Sequence, residues 1–266
     1  MYVIGERING MFTDVKQALR EKNAEVIKDL ARRQMQAGAS ALDVNVGPAV
    51  RDDKGGMLWL VEVIRSVTDA AVAIDTAKWN VMSAVIPQVP GKKILNSSKA
   101  DPEIASQYVG LAVEQGASLI GLTIDAQGVP GNVEGRVELG AQLITVAMEG
   151  GLELERLFID PIILPVNVSP KNPLHCMQAI AQIKAFADPP PHLMLGLSNV
   201  SQRCRNRELI NRTYLAMAMA QGMDAAIMDP LDTELMDAAI TAELLLEKMI
   251  YCDSYLEAAR QGQPGV

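Results

Sequence analysis

Residues 93–125 read KILNSSKADPEIASQYVGLAVEQGASLIGLTID, and this stretch decides the fold. It opens on a short apolar run, Lys93–Asn96, closed by Ser97 and Ser98. Pro102 then stands in the first turn of a predicted helix over 102–115, where its missing N–H costs nothing. Gly116 ends that helix, because glycine takes the left-handed conformation that stops one. A second apolar run, Leu119–Ile124, follows directly. Strand, helix and strand in this order form one βαβ unit.

Outward from this unit the pattern continues in both directions. Further strand-like runs are Val3–Arg7, Ala41–Val46, Val72–Thr76, Leu157–Ile162, Leu193–Leu197 and Ala225–Met228. Helical patterns lie between and after them, over 13–37, 56–68, 78–88, 133–149, 173–186, 207–221 and 232–259. Gly38 and Gly222 mark helix ends as Gly116 does. Eight strands alternating with eight helices predict an α/β fold, a single (β/α)8 TIM barrel filling one domain over 1–266. An open doubly wound sheet is the alternative. The even spacing, with no glycine-rich fingerprint after the first strand, argues against it.

Composition narrows the function. The chain has 24 basic and 32 acidic residues, a net charge of −8, and no block of Lys and Arg. It is therefore a poor coat for nucleic acid or an anionic membrane. Ten aromatic residues supply few platforms for base stacking. The cysteines at 176, 204 and 252 are odd in number and form no CxxC, which suits a reducing environment. Met1 leads straight into an apolar strand pattern with no cleavable leader, and no apolar run is long enough to span a membrane. These features predict a cytoplasmic protein.

In such barrels chemistry sits at the carboxyl ends of the strands. Reading those ends in order gives Glu6-Arg7-Ile8-Asn9, Asp43 with Asn45, Asp75-Thr76, Asn96-Ser97-Ser98, Thr123 with Asp125, Asp160-Pro161, Ser198-Asn199 and Asp229-Pro230. Any one of these can be an ordinary strand stop or turn former. Together they bring a carboxylate or an amide to one face from every strand. Burying so many acceptors is costly without donors, so the mouth should receive either a metal or a ligand rich in N–H groups. Metal is poorly supported. Acids on opposite strands are well separated, and of the two histidines His175 adjoins Cys176 while His192 lies just before a strand. No bound metal is expected. A phosphate ligand would want glycine-rich backbone after the last strands, whereas the loop there carries Arg203, Arg205 and Arg207, with Arg212 beyond. Those arginines suit either a carboxylate or phosphate tail at the rim or a solvated helix start. A donor-rich heterocycle fits best, since one carboxylate can accept both the N–H and the NH₂ of a 2-amino-4-oxo pyrimidine.

The strings Ile4-Gly5-Glu6-Arg7-Ile8-Asn9, Leu42-Asp43-Val44-Asn45-Val46-Gly47, Ile94-Leu95-Asn96-Ser97-Ser98, Phe158-Ile159-Asp160-Pro161 and Leu195-Gly196-Leu197-Ser198-Asn199-Val200-Ser201 carry a resemblance. They resemble the pterin-binding methyltransferases, which move a methyl group between tetrahydrofolate and a corrinoid protein. The methyltetrahydrofolate:corrinoid/iron–sulfur protein methyltransferases, the stand-alone tetrahydrofolate methyltransferases of demethylation systems and the folate module of cobalamin-dependent methionine synthase all look similar. The likeness runs through Ile250-Tyr251-Cys252-Asp253-Ser254. It implies pterin contacts by Asp75, Asn96 and Asp160, with Asn199 approaching the pterin N5 nitrogen in the catalytic role. It places the remaining folate contacts at Gly196, Ser198, Gln202 and Arg207. It also implies tetrahydrofolate or 5-methyltetrahydrofolate as substrate, a cobalamin carried by a partner corrinoid protein, and a homodimer. Met57-Leu58-Trp59-Leu60-Val61 and the Met217–Met223 stretch are the apolar segments suggested for pairing. Dihydropteroate synthases share a pterin-binding barrel but typically carry Ser-Arg-Lys after the seventh strand. Here Ser198-Asn199-Val200 stands there, which favours methyl transfer over condensation. A non-catalytic folate-binding subunit would not need Asn199.

Overall fold

The computed structural model of the chain describes residues 1–249. Eight parallel strands close into a barrel in sequence order. They are β1 (Tyr2–Asn9), β2 (Ala41–Asn45), β3 (Ala71–Asp75), β4 (Lys93–Lys99), β5 (Ser118–Leu122), β6 (Leu157–Asp160), β7 (His192–Gly196) and β8 (Ala225–Met228). Closure is made by β8 on β1, from Tyr2 opposite Ala225 to Gly5 opposite Met228. The outer helices are α1 (Thr13–Glu21), α2 (Ala24–Gln36), α3 (Asp53–Arg65), α4 (Trp79–Val85), α5 (Pro102–Glu114), α6 (Val133–Glu149), α7 (Asn172–Lys184), α8 (Arg207–Ala220) and α9 (Thr233–Leu245). All eight expected strands are present, with ends shifted by up to three residues. The end of the predicted helix over 232–259, Cys252 and the string Ile250–Ser254 lie outside the described residues.

Local signals set these elements. Asp101 caps α5 by accepting from the N–H groups of Glu103 and Ile104, and Pro102 follows it. Gly38, Gly116 and Gly222, after α2, α5 and α8, have φ of +97°, +60° and +104°. The predicted helix over 13–37 is instead two helices. Lys22 takes φ +55° between them, and its N–H still reaches the Ala18 carbonyl. A left-handed lysine without glycine or proline beside it leaves little trace in a periodicity.

Strand alternation divides the apolar residues into two layers. Outward residues such as Leu42, Val44, Val72, Ile74, Leu95, Leu119, Ile159 and Leu195 pack under the helices. Inward residues Ile4, Ala41, Ala71, Ala73, Ile94, Ile120, Phe158, Met194 and Ala225 fill the barrel. The fill is lopsided, with small alanines on β2, β3 and β8 and large side chains on β4 to β7. At the amino-terminal end, Tyr2, Phe158 and His192 close the floor, with ring centroids 5.4 Å apart for Tyr2–Phe158 and 4.6 Å for the stacked Phe158–His192 pair. His192 is thus the first residue of β7, not part of the preceding loop, and its Nδ1 lies 3.3 Å from Asp224.

The suggested pairing segments are mostly core. Met57, Leu60 and Val61 are buried on the inner face of α3, as are Ala218, Met219 and Met223 beneath and after α8. An amphipathic helix buries its apolar stripe, and these residues form the stripe. Met217 alone of the named methionines stands half exposed.

Candidate active site

Continuing the same alternation one step beyond the apolar fill brings polar residues inward. Ala41 is followed by Asp43 and Asn45, Ala73 by Asp75, Ile94 by Asn96, Phe158 by Asp160, Met194 by Gly196, and Ile4 by Glu6. The strands therefore aim acceptors into the barrel mouth by the parity that fills its floor. Two strands bulge here. The β1–β2 register shifts between Gly5 and Ile8, and the β4–β5 register shifts between Asn96 and Ser98. Bulges of this kind re-aim side chains at barrel rims.

Hydrogen bonds lock the acceptors in place. Asn96 Nδ2 donates to Asp43 at 2.9 Å, and Asn45 Nδ2 donates to Asp75 at 2.6 Å. Asn45 Oδ1 in turn accepts from the Gly47 N–H at 2.6 Å. Asp160 accepts from the backbone of Ile162 at 2.7 Å and of Gly196 at 3.3 Å. Ser198 Oγ donates to Glu6 at 2.7 Å. Arg207 braces the loop after β7 through Ser201 Oγ and the Ser198 carbonyl, each at 3.1 Å.

Burial sets the electrostatics. Asp160 is pushed up to about 6 by desolvation, which its two backbone donors only partly offset. Asp43 is raised well above the ordinary carboxylate range by burial and by the nearby charges of Asp75 and Glu6. Asp75 and Glu6 are raised by burial as well, Glu6 against the opposing pull of Ser198, Arg207 and Arg7. The separation expected of acids on opposite strands does not extend to neighbouring ones. Glu6, Asp43 and Asp75 stand on consecutive strands, and the central Asp43 feels the charges of both others. Even so, no group of three His, Cys, Asp or Glu side chains among the described residues is placed to hold a metal ion.

The β7 end differs in character. Asn199 and Gln202 are exposed, and neither side chain has a hydrogen-bond partner among the described residues. Asn199 Nδ2 lies 3.1 Å from where a Cβ on residue 196 would stand, so Gly196 leaves room for that amide. Of the eight residues singled out from the sequence, Asp75, Asn96, Asp160, Gly196 and Ser198 converge on the mouth. Asn199, Gln202 and Arg207 follow on the β7 loop at its edge. Glu6, Asp43 and Asn45 were seen as strand ends but left out of that set, though the Ala-x-Asp-x-Asn spacing on β2 already marks two as inward. Asp125 and Asp229 are turn formers, accepting from the N–H groups of Gln127 and Leu231. Cys176 is buried, with its thiol pushed up to about 12, and is no nucleophile. His175 Nδ1 sits 3.0 Å from the Gly131 carbonyl, a packing contact.

Residues 7–229 match the family model described as pterin binding enzyme. The chain belongs to the pterin binding enzyme family. Along its whole length it is 30% identical to a methylcorrinoid:tetrahydrofolate methyltransferase of Eubacterium limosum, covering 98% of that protein. It is 28% identical over 85% of its length to the methionine synthase of Mycobacterium leprae, of which it spans 20%. Among solved structures, dihydropteroate synthase of Xanthomonas albilineans in complex with 7,8-dihydropteroate superposes with a TM-score of 0.66 at 17% identity, covering 94% of each chain. The dihydropteroate synthase of Coxiella burnetii with pteroic acid gives a TM-score of 0.67 at 15% identity, over 93% of this chain and 94% of that one. Those two likenesses concern the fold.

Proposed function

We propose that this chain, as one barrel domain over 1–266, transfers a methyl group between N5 of tetrahydrofolate and the cobalt of a corrinoid carried by a separate protein. The full-length likeness to a methylcorrinoid:tetrahydrofolate methyltransferase supports this reading. The observation that carries the binding half is Asp160. A carboxylate has roughly four acceptor sites. Two are taken by the Ile162 and Gly196 N–H groups. The remaining two equal the paired donors on a 2-amino-4-oxo pyrimidine edge. Asn96 spends its NH₂ on Asp43 and keeps its carbonyl oxygen as an acceptor, and Asp75 supplies another carboxylate. Ser198, Gln202 and Arg207 meet the rest of the folate along the β7 loop, and Gly196 makes room there.

The chemistry asks for little beyond position and hydrogen bonding. A tertiary amine leaves poorly as an anion but well once N5 is protonated or hydrogen-bonded. The corrinoid supplies the metal centre that accepts or donates the methyl group. Asn199 orients N5 and stabilises its protonated form, and its amide is free to do so because it has no hydrogen-bond partner among the described residues. The buried acceptors fix the ring so that N5, carbon and cobalt come into line. Condensation with a pterin diphosphate suits the site less well. The Glu6 carboxylate bonded to Ser198 at the β7 end opposes an anionic group there.

The protein acts in the cytoplasm as a homodimer, paired through outer helix faces that leave the mouth open to its corrinoid partner. The exposed Met217 on α8 belongs to one such face. Mixing the protein with tetrahydrofolate and methylcobalamin in a single turnover, and following the cobalt spectrum, tests the activity. Absence of any folate-dependent spectral change sinks it.

A further inference from the structure

One guanidinium lies buried beside the β6 end of the mouth. Arg136, the fourth residue of α6, is 1% exposed. Its Nε donates to the Pro161 carbonyl at 2.9 Å, and its Nη1 donates to the carbonyls of Pro130 and, at 3.0 Å, Asn132. It forms no ion pair among the described residues. A buried cation without a carboxylate is costly, and near a helix N-terminus the macrodipole opposes it as well. What the fork holds accounts for its place. The peptide between Pro161 and Ile162 is trans, so its C=O and its N–H point opposite ways. With the oxygen drawn to Arg136, the hydrogen faces Asp160, and the Ile162 N–H donates to Asp160 Oδ1 at 2.7 Å. Ile162 holds φ of +61°, a left-handed conformation that a β-branched side chain resists. Two buried side chains of α7 restrain the same turn. The Cys176 thiol donates to the Ile162 carbonyl at 3.3 Å, and Asn172 Oδ1 accepts from the Leu164 N–H at 2.8 Å.

We propose that Arg136 is a positioning residue for Asp160: it fixes the 161–162 peptide so that the Ile162 N–H holds the carboxylate in one rotamer, with its remaining acceptor sites turned to the ligand. The consequence for folate rests on the reading above. A charged donor on the carbonyl also polarises the peptide and strengthens its N–H. A carboxylate that accepts from a stronger donor is favoured in its ionised form. The other groups that meet Asp160 are neutral. They are the Gly196 N–H on β7, at 3.3 Å, the Cys176 thiol on α7 and the Tyr214 phenol on α8. Thiol and phenol each feel the charges of both Asp160 and Arg136, and burial raises both so that they stay protonated. Arg136 on α6 is thus the cation of this cluster.

The titration midpoint of the Asp160 carboxyl tests this, read by carbon NMR on the ligand-free protein and assigned by the loss of its signal in Asp160→Asn. In the wild type the Ile162 amide nitrogen should titrate with the same midpoint. In Arg136→Met the midpoint should rise by about one pH unit, the scale of weakening a hydrogen bond to a carboxylate. Arg136→Lys keeps the charge and the stem but not the fork, and it decides the matter if the methionine variant does not fold. Its midpoint should rise by a smaller step. A midpoint unmoved in the folded variants, or an Ile162 amide indifferent to Asp160, overturns the proposal. Calorimetric titration with tetrahydrofolate reads the consequence. A rise of about one unit from about 6 makes the loss of affinity about 5-fold greater at pH 6 than at pH 8. That difference should vanish when Arg136→Met is built on Asp160→Asn. A loss equal at both pH values and in both backgrounds overturns the proposal too, because the arginine then serves the fold alone. If the wild type binds no folate at any pH, the folate reading fails, and the carboxyl midpoint still decides the role of Arg136.

Discussion

The same eight strands end in opposite ways. At their amino-terminal ends the inward residues are Tyr2, Phe158 and His192, ring against ring, above which Ile4, Ile94, Ile120 and Met194 fill the barrel. At their carboxyl-terminal ends the inward residues are Glu6, Asp43, Asn45, Asp75, Asn96 and Asp160. The same strand alternation runs through both ends, with bulges in β1 and β4 only near the mouth, so the contrast lies mainly in the side chains. The floor is satisfied by packing with no ligand. The acids of the mouth all have carboxyl groups raised by burial, so the mouth holds free energy that a donor-rich ligand recovers. Substitutions at the two ends should therefore separate stability from function.

The largest effect expected is on the floor. Phe158→Ala removes a ring that stacks on His192 and meets Tyr2, and should cost about 3–5 kcal/mol of stability in denaturant unfolding. Folate affinity of the fraction that remains folded should stay within a few-fold of wild type. A large loss of affinity without a loss of stability would mean that floor and mouth are not separable. Nearly as large, but in rate, is Asn199→Ala. Losing one preorganised polar contact lowers single-turnover methyl transfer about 10²–10³-fold. Binding should weaken by only about 1 kcal/mol. Equal falls in rate and affinity would make Asn199 an ordinary binding residue.

This division was partly legible before any coordinates. Short apolar runs separated by amphipathic stretches reveal eight strands because the two periods, about 2 and about 3.6, are distinct. The polar strand ends were visible too, and alternation alone places Asp43, Asn45 and Asp75 inward. What periodicity cannot supply is the register between strands. That Asn96 serves Asp43, and Asn45 serves Asp75, depends on which residues of β2, β3 and β4 stand side by side. The break at Lys22 was hidden because a single left-handed lysine does not disturb the apolar spacing. The Met57–Val61 run looked like a surface patch because composition does not say which face of α3 turns inward.

A smaller effect belongs to Asp160 itself. Asp160→Ala leaves two ligand donors and the Ile162 and Gly196 N–H groups without their acceptor. Folate affinity should drop by about 1–3 kcal/mol in calorimetric titration. The same substitution at Asp125, a turn carboxylate bonded to Gln127, should leave affinity unchanged. If both variants bind equally well, the ring is seated elsewhere in the mouth.

The smallest effect is on pH, and its sign follows from the raised proton affinity of Asp160. In the ligand-free folded protein this carboxyl titrates at about 6, while in the unfolded chain it titrates near the ordinary value of 3.8. Between those limits the folded state holds the proton more tightly. Its contribution to stability is therefore most favourable in acid and is lost as pH rises toward 6. A 2-amino-4-oxo pyrimidine reverses the preference, because its N–H groups pair with the ionised form. Affinity should accordingly be flat above about pH 6.5 and fall up to about tenfold per unit below pH 6, as protonation removes the acceptor. The rise in melting temperature on adding tetrahydrofolate should be smaller at pH 5 than at pH 7. Asp160→Asn should flatten both profiles, since an amide does not titrate. Affinity that instead grew on acidification, with the wild-type carboxyl in place, would mean that Asp160 binds as the neutral acid and donates, which reverses the polarity proposed for this end of the barrel.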